Sequence, residues 1–347
     1  MADFDFGNAR LRARMAGMMS GQALTMLAQS SSPQVLVAGL AKTPYRRSVE
    51  RAQTQASGMA LMEAILSEEV FSSVQQLLSY FEGSALEQIK ILLAYEDAQN
   101  LKIILRGIQK NARSSDISEA LLQWGFTPPA ILKNVAESKS MDEALARLAI
   151  LGNSAAAALS ALTPEQLARA AEVDFALEKW FFNDVLLRNA KDASPSLLFY
   201  FRMRADIFDI LTICARFLMP NFSKDKEASG YLLAQGNIPL KVLSLSASSP
   251  TLEQALLSLR HTPYFETLHP LLNRGTTITL TTVDKHLQGF LWNWVRRQPH
   301  RDPLGIGVSL GFIHKKKREL ECLRYIASSI KLGLRPDCIL ENMEIPE

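Results

Sequence analysis

Apolar side chains recur every three or four residues along most of the chain, which is the period of a helix with one buried face. Leu86, Ile89 and Leu93 lead into Asp97, Asn100, Leu101, Ile104 and Ile108 on the same spacing. The pattern predicts an all-α fold. Only "TTITLTTV" at 276–283 is rich in β-branched residues, and a lone strand has nothing to pair with, so this run reads as an extended connector. Helix starts are signalled by a hydroxyl residue before proline, with the hydroxyl at the N-cap and the proline where its missing N–H costs nothing. Ser32, Thr43, Thr163, Ser194, Ser249 and Thr262 all stand before proline, and Gln166 sits where it completes a capping box with Thr163. By this reading "TPY" opens a helix at Thr43 and again at Thr262, placing Tyr45 and Tyr264 in the first turn.

The two "TPY" stretches prompt a search for internal repeats. Three markers recur. A short helix ends in tyrosine at "SSPQVLVAGLAKTPY" (31–45) and "SSPTLEQALLSLRHTPY" (248–264), with "SMDEALARLAILGN" (140–153) as a degenerate middle copy. An acidic, aromatic helix appears as "MEAILSEEVFSSV" (62–74), "VDFALEKWFFNDV" (173–185) and "VDKHLQGFLWNWV" (283–295). A third helix carries an acid, a second short group three residues on, and then an apolar stripe: "DAQNLKIILRG" (97–107), "DIFDILTICAR" (206–216) and "ELECLRYIASS" (319–329). Taken at positions 45, 153 and 264, then 63, 174 and 284, then 97, 206 and 319, the spacings all lie between 108 and 113 residues and the order is kept. The chain therefore divides into three similar helical domains, 1–113, 114–224 and 225–347, with an expected pseudo-threefold arrangement.

The third marker sets polar groups on an apolar stripe: Asp97 with Asn100, Asp206 with Asp209, and Glu319 with Cys322. A buried carboxylate must be paired or hydrogen-bonded. One reading makes these residues catalytic acids, the other makes each a latch within its domain. The threefold recurrence favours the latch, since an enzyme rarely needs three copies of a single-chain site. Tyr45 and Tyr264 are then expected to pack on the marker helix of their own domain.

A length of 347 residues is enough for two or three cores. Hydrophobic residues at 48% and charged residues at 21% are normal for a globular protein. A net charge of +3 means that an electrostatic partner is engaged through a local patch. The densest basic run, "HKKKRE" at 314–319, supplies Lys315, Lys316, Lys317 and Arg318 as a candidate partner-facing patch. As a solvated helix face it needs no function. Contact with an acidic protein surface comes next, and nucleic acid, engaged through residues 284–324, comes last because no binding motif accompanies the run.

Cys214, Cys322 and Cys338 form no Cys-x-x-Cys pair, which fits a reducing compartment rather than a zinc cluster or disulfide framework. The first residues lack the apolar core of a secretory signal, so an intracellular protein is expected. The most apolar stretch, 197–219, is interrupted by Arg202, Arg204, Asp206, Asp209 and Arg216 and reads as no membrane span. "GIGVSLG" at 305–311 resembles a nucleotide-binding turn, but its third glycine falls one residue late and no strand precedes it. Its glycines read as sites of close packing at the entry to the last helix. Five scattered histidines form no i, i+4 pair, and neither a phosphate-binding loop nor a nucleophile elbow is present. No catalytic, cofactor-binding or metal-binding residue is assigned.

"FDFGNARLRARMAGMM", "LAKTPY", "YEDAQNLKIILRG" and "GIGVSLGFIHKKKRELECLRYI" occur in that order. Together they resemble the signatures of the C-type stalk proteins of V-type and archaeal A-type rotary ATPases (ATP synthases), the family related to the eukaryotic V-ATPase d protein. Asp97, Asn100 and Glu319 match the family's acid-x-x-Asn positions, while Asp209 and Cys322 stand where asparagine is usual. The resemblance implies a funnel-shaped socket of three all-helical domains. It also implies a non-catalytic torque coupler without cofactors, peripheral on the cytoplasmic face of the membrane. In such a complex it would sit between the D and F shaft subunits and the membrane proteolipid ring. A generic helical scaffold of another class is the rival reading.

Overall fold

The computed structural model describes residues 3–54, 56, 59–121, 124–189, 191–219, 222, 228–272 and 278–343. Every regular element among these residues is helical. Packing divides the chain into two compact units, which is a different partition from the three segments marked by recurring motifs. One unit comprises Met1–Glu96, Leu122–Phe126 and Val295–Glu347; the other comprises Asp97–Leu121 and Thr127–Trp294.

The first unit is organised around the long helix Gly307–Lys331, which packs against the helices Asp5–Ala16, Gly21–Ala28, Pro33–Leu40 and Met59–Tyr80. "GIGVSLG" opens this helix. A side chain at Gly311 would place its Cβ 2.3 Å from Pro299 Cγ, so glycine permits the Gln298–Arg301 turn to lie flat on the helix. The second unit has its counterpart in Pro195–Leu218, which packs against the short turn Ala228–Tyr231 and the helices Leu240–Ala247 and Leu252–Leu257.

Three eight-residue helices share one design. Gly21–Ala28, Pro129–Ala136 and Leu240–Ala247 bury their fourth, seventh and eighth positions: Leu24, Leu27 and Ala28; Leu132, Val135 and Ala136; Leu243, Ser246 and Ala247. Four residues after each ends, a hydroxyl caps the next helix. Ser32 accepts from the Val35 N–H, Ser140 from Glu143 and Thr251 from Gln254. Helices this short are marginal in isolation, and each relies on what its buried face meets and on how its first turn is held.

Several expected starts hold. Ser32, Thr163 and Ser194 are N-caps before proline, and Thr163 with Gln166 forms the capping box. Three do not. Thr43 and Thr262 turn their hydroxyls back to the carbonyls of Leu40 and Leu259, both at 2.7 Å, and so close the preceding turn. The helices that follow begin at Arg46 and Phe265, with Tyr45 and Tyr264 at the N-cap. Ser249 gives way to Thr251, whose side chain is better placed to meet the free N–H groups. The "TTITLTTV" run is not a connector throughout: Leu280 begins a helix to Val295, capped by Thr279, which accepts from the Thr282 N–H at 3.1 Å. The β-branched bias is overridden by that cap, while Thr276 and Thr277 lie outside the described residues.

Candidate functional site: three buried carboxylate clasps

Each third-marker acid grips the chain just ahead of one of the eight-residue helices. In the first unit, Glu319 is 1% exposed. Its Oε2 accepts from the Met19 N–H at 2.7 Å, and its Oε1 accepts from the Tyr45 hydroxyl at 2.6 Å and from Lys316 Nζ at 2.7 Å. Lys316 lies one turn earlier on the same helix and also reaches Glu69 at 2.9 Å, so the ammonium is shared by two carboxylates. Glu69 further accepts from the Ser48 hydroxyl at 2.7 Å. Burial, and then the charges of Glu319 and Glu69, push the Tyr45 phenol well above its ordinary pKa, so it acts as a fixed donor.

In the second unit, both oxygens of Asp97 accept from the Thr127 N–H, at 2.9 and 3.2 Å. Asn100, one turn on, is fully buried. Asp206 accepts from the Ile238 N–H at 2.9 Å, the Asn237 N–H at 2.9 Å, the Asn237 amide at 3.2 Å and the Tyr264 hydroxyl at 2.8 Å. Asp209 accepts from the N–H groups of Leu233 at 2.7 Å and Ala234 at 3.0 Å. The backbone comes so close that a Cβ on Gly236 would lie 1.9 Å from Asp206 Oδ1.

Met19, Thr127 and Ile238 each precede an eight-residue helix by two positions. They are separated by 108 and 111 residues, the interval of the sequence markers. The three clasps are therefore equivalent contacts. Their order is cyclic: the first acid takes the second segment, the second acid takes the third, and the last acid takes the first. This corrects the expectation of a latch inside each domain. Tyr45 rests on Glu319 and Tyr264 on Asp206, not on the marker helices of their own segments. In the middle segment the corresponding position is Asn153, whose side chain accepts from the Ala155 N–H at 2.9 Å.

The basic run is also partly redirected. Lys316 is 4% exposed inside the first clasp, and Lys317 pairs with Glu96, itself buried. Arg318 pairs along its own helix with Glu321 at 3.5 Å, and Lys315 is half-buried. A four-residue outward patch is not what the helix presents, because its period turns two of the four inward. Cys322 is buried on the same helix.

Sequence reading missed Met19, Ser48 and Glu69 as members of the first clasp, and the buried ion pair of Lys102 with Glu178 in the second unit. It also missed the Tyr231 hydroxyl donating to Glu172 at 2.9 Å. Glu69 and Glu178 lie on second-marker helices, where an acid among apolar positions was the available signal.

Chemically, these carboxylates are committed to backbone amides, tyrosines and a lysine, so the arrangement fastens chain segments. The family model for the ATP synthase (C/AC39) subunit matches residues 7–342. The chain belongs to this family. The C subunit of a V-type ATP synthase from Deinococcus radiodurans is 23% identical, over 99% of this chain and 91% of that protein. The C subunits of A-type ATP synthases from Haloquadratum walsbyi and Thermococcus kodakarensis are 20% and 22% identical, each over 97% of this chain and over 97% and 89% of their own lengths. For this C/AC39 chain, no helix among the described residues is long and apolar enough to cross a membrane.

Proposed function

We propose that this chain is the non-catalytic central-stalk component of a V/A-type rotary ATPase, joining the D and F shaft subunits to the membrane proteolipid ring from the cytoplasmic side. Family membership supports the complex, and the cyclic clasps carry the mechanical reading. A coupler is loaded in torsion. A chain whose successive segments are fastened by buried, charge-assisted hydrogen bonds, with the last returning to the first, resists being unwound from an end. In this reading the three segments 1–113, 114–224 and 225–347 act as three equivalent parts of one socket, and ATP is handled by other subunits. The nucleic-acid alternative through 284–324 loses its main support with Lys316 and Lys317 drawn into internal ion pairs.

The test is affinity capture of the tagged chain from gently solubilised membranes. Recovery of shaft and ring subunits together is the expected outcome; absence of both would overturn the assignment. A stalk complex rebuilt without the chain should hydrolyse ATP but fail to couple hydrolysis to ion movement.

A further inference from the structure

The three clasps are not chemically alike. One turn after the gripping acid stands a neutral amide in the first marker, Asn100, a thiol in the third, Cys322, and a second carboxylate in the middle one, Asp209. Asp206 and Asp209 are both fully buried on one helix, and the described contacts of both contain no basic side chain. Glu319, by contrast, has Lys316 at 2.7 Å. Among the described residues, the charged groups on the surrounding elements do not compensate. Glu178 adds a third negative charge, itself paired with Lys102; Lys241 and Glu253, on the two packed short helices, are exposed; Tyr264 donates from the remaining side. The loop 233–238 carries no ionisable residue. It is also held under strain, since Ala234 takes a left-handed backbone with φ 53°, which alanine rarely adopts.

Two carboxylates in one buried site, with no basic side chain among their described contacts, cannot both ionise at ordinary cost, so the pair retains a proton. We propose that Asp206 and Asp209 form a proton-linked clasp, which holds a proton while it grips the loop 233–238 and releases it when the loop lets go. Burial pushes the Asp209 carboxyl up to about 7, and burial also raises Asp206. The direction follows by linkage. A carboxyl whose value is raised in the closed state and ordinary in the open state favours closure at low pH, and that advantage is lost as pH rises from about 4 to about 7. Alkalinity therefore loosens this clasp. The inference concerns the chain itself and does not depend on the coupling role.

The experiment is hydrogen exchange of the full chain, reading the Leu233, Ala234, Asn237 and Ile238 amides between pH 5 and pH 8 after correction for intrinsic exchange. The opening equilibrium is expected to rise at least about tenfold between pH 5 and pH 7 and then level off. Asp209→Asn, which copies Asn100, should flatten the profile to less than about threefold. A native profile already that flat, or an unchanged slope in Asp209→Asn, overturns the proposal. Carbon-13 titration of the aspartate carboxyls in the unmodified protein decides the matter should the variant fail to fold: a buried pair with no midpoint above about 5.5 refutes it.

Discussion

Glu319→Gln is the sharpest test of the clasp. Glutamine keeps the shape but offers one acceptor oxygen, and it brings an N–H₂ group to a site where three donors already converge: the Met19 N–H, the Tyr45 hydroxyl and the Lys316 ammonium. However the amide is turned, a donor faces a donor. Breaking a buried ion pair by removing one partner costs about 3–5 kcal/mol. Lys316 retains Glu69 at 2.9 Å, which places the expected loss at the lower end, about 3 kcal/mol, or a rise of about 150-fold in local opening. Hydrogen exchange of peptides covering residues 18–28 reads that opening without requiring the whole chain to unfold in one step. A loss below about 1 kcal/mol in Glu319→Gln would refute charge-assisted fastening.

Other outcomes follow from the same geometry. Gly236→Ala forces a Cβ to within 1.9 Å of Asp206 Oδ1 and 2.9 Å of the Arg202 carbonyl; this overpacking should cost about 1–3 kcal/mol and show as faster exchange at Asn237 and Ile238. Unchanged protection there would mean that the loop is not seated on the acid. Ser140→Ala and Thr251→Ala each remove an N-cap acceptor and should each lower stability by about 1 kcal/mol, measured by thermal or urea unfolding; equal effects are expected if the short helices are equivalent. A thiol reagent at pH 8 should modify half-buried Cys338 in the folded chain, whereas Cys214, buried and with its thiol pushed up to about 12, should react only on unfolding.

The helical class and the family were legible because both rest on repeated local pattern: an apolar stripe at period 3.6 and motifs held in order. The buried acids were legible too, since Asp97, Asp206 and Glu319 sit on that stripe where water cannot solvate them. Their partners were not. Periodicity says which face of a helix is covered, but not that Glu319 reaches Met19 and Tyr45 across 300 and 274 positions of chain. Thr43 shows the limit at short range: "TP" suits an N-cap equally well as it suits a hydroxyl folded back on the previous turn, and the Leu40 carbonyl decided between them. Lys316 and Lys317 show it for charge, because a run of basic letters does not reveal that helical geometry turns two of them toward Glu69 and Glu96.

The contact between Glu319 and Met19 also sets a timetable for synthesis. The first short helix emerges from the ribosome early, yet the acid that holds its start follows 300 residues later, and Tyr45 waits for the same side chain. At an ordinary elongation rate of about 5–20 residues per second, the start of that helix waits on the order of 15 to 60 seconds for the acid that holds it. The Asp97–Thr127 and Asp206–Ile238 contacts close over 30 and 32 residues and can form while the chain is still being made. Two of the three clasps can thus close during synthesis, whereas the one at Met19 must wait for Glu319.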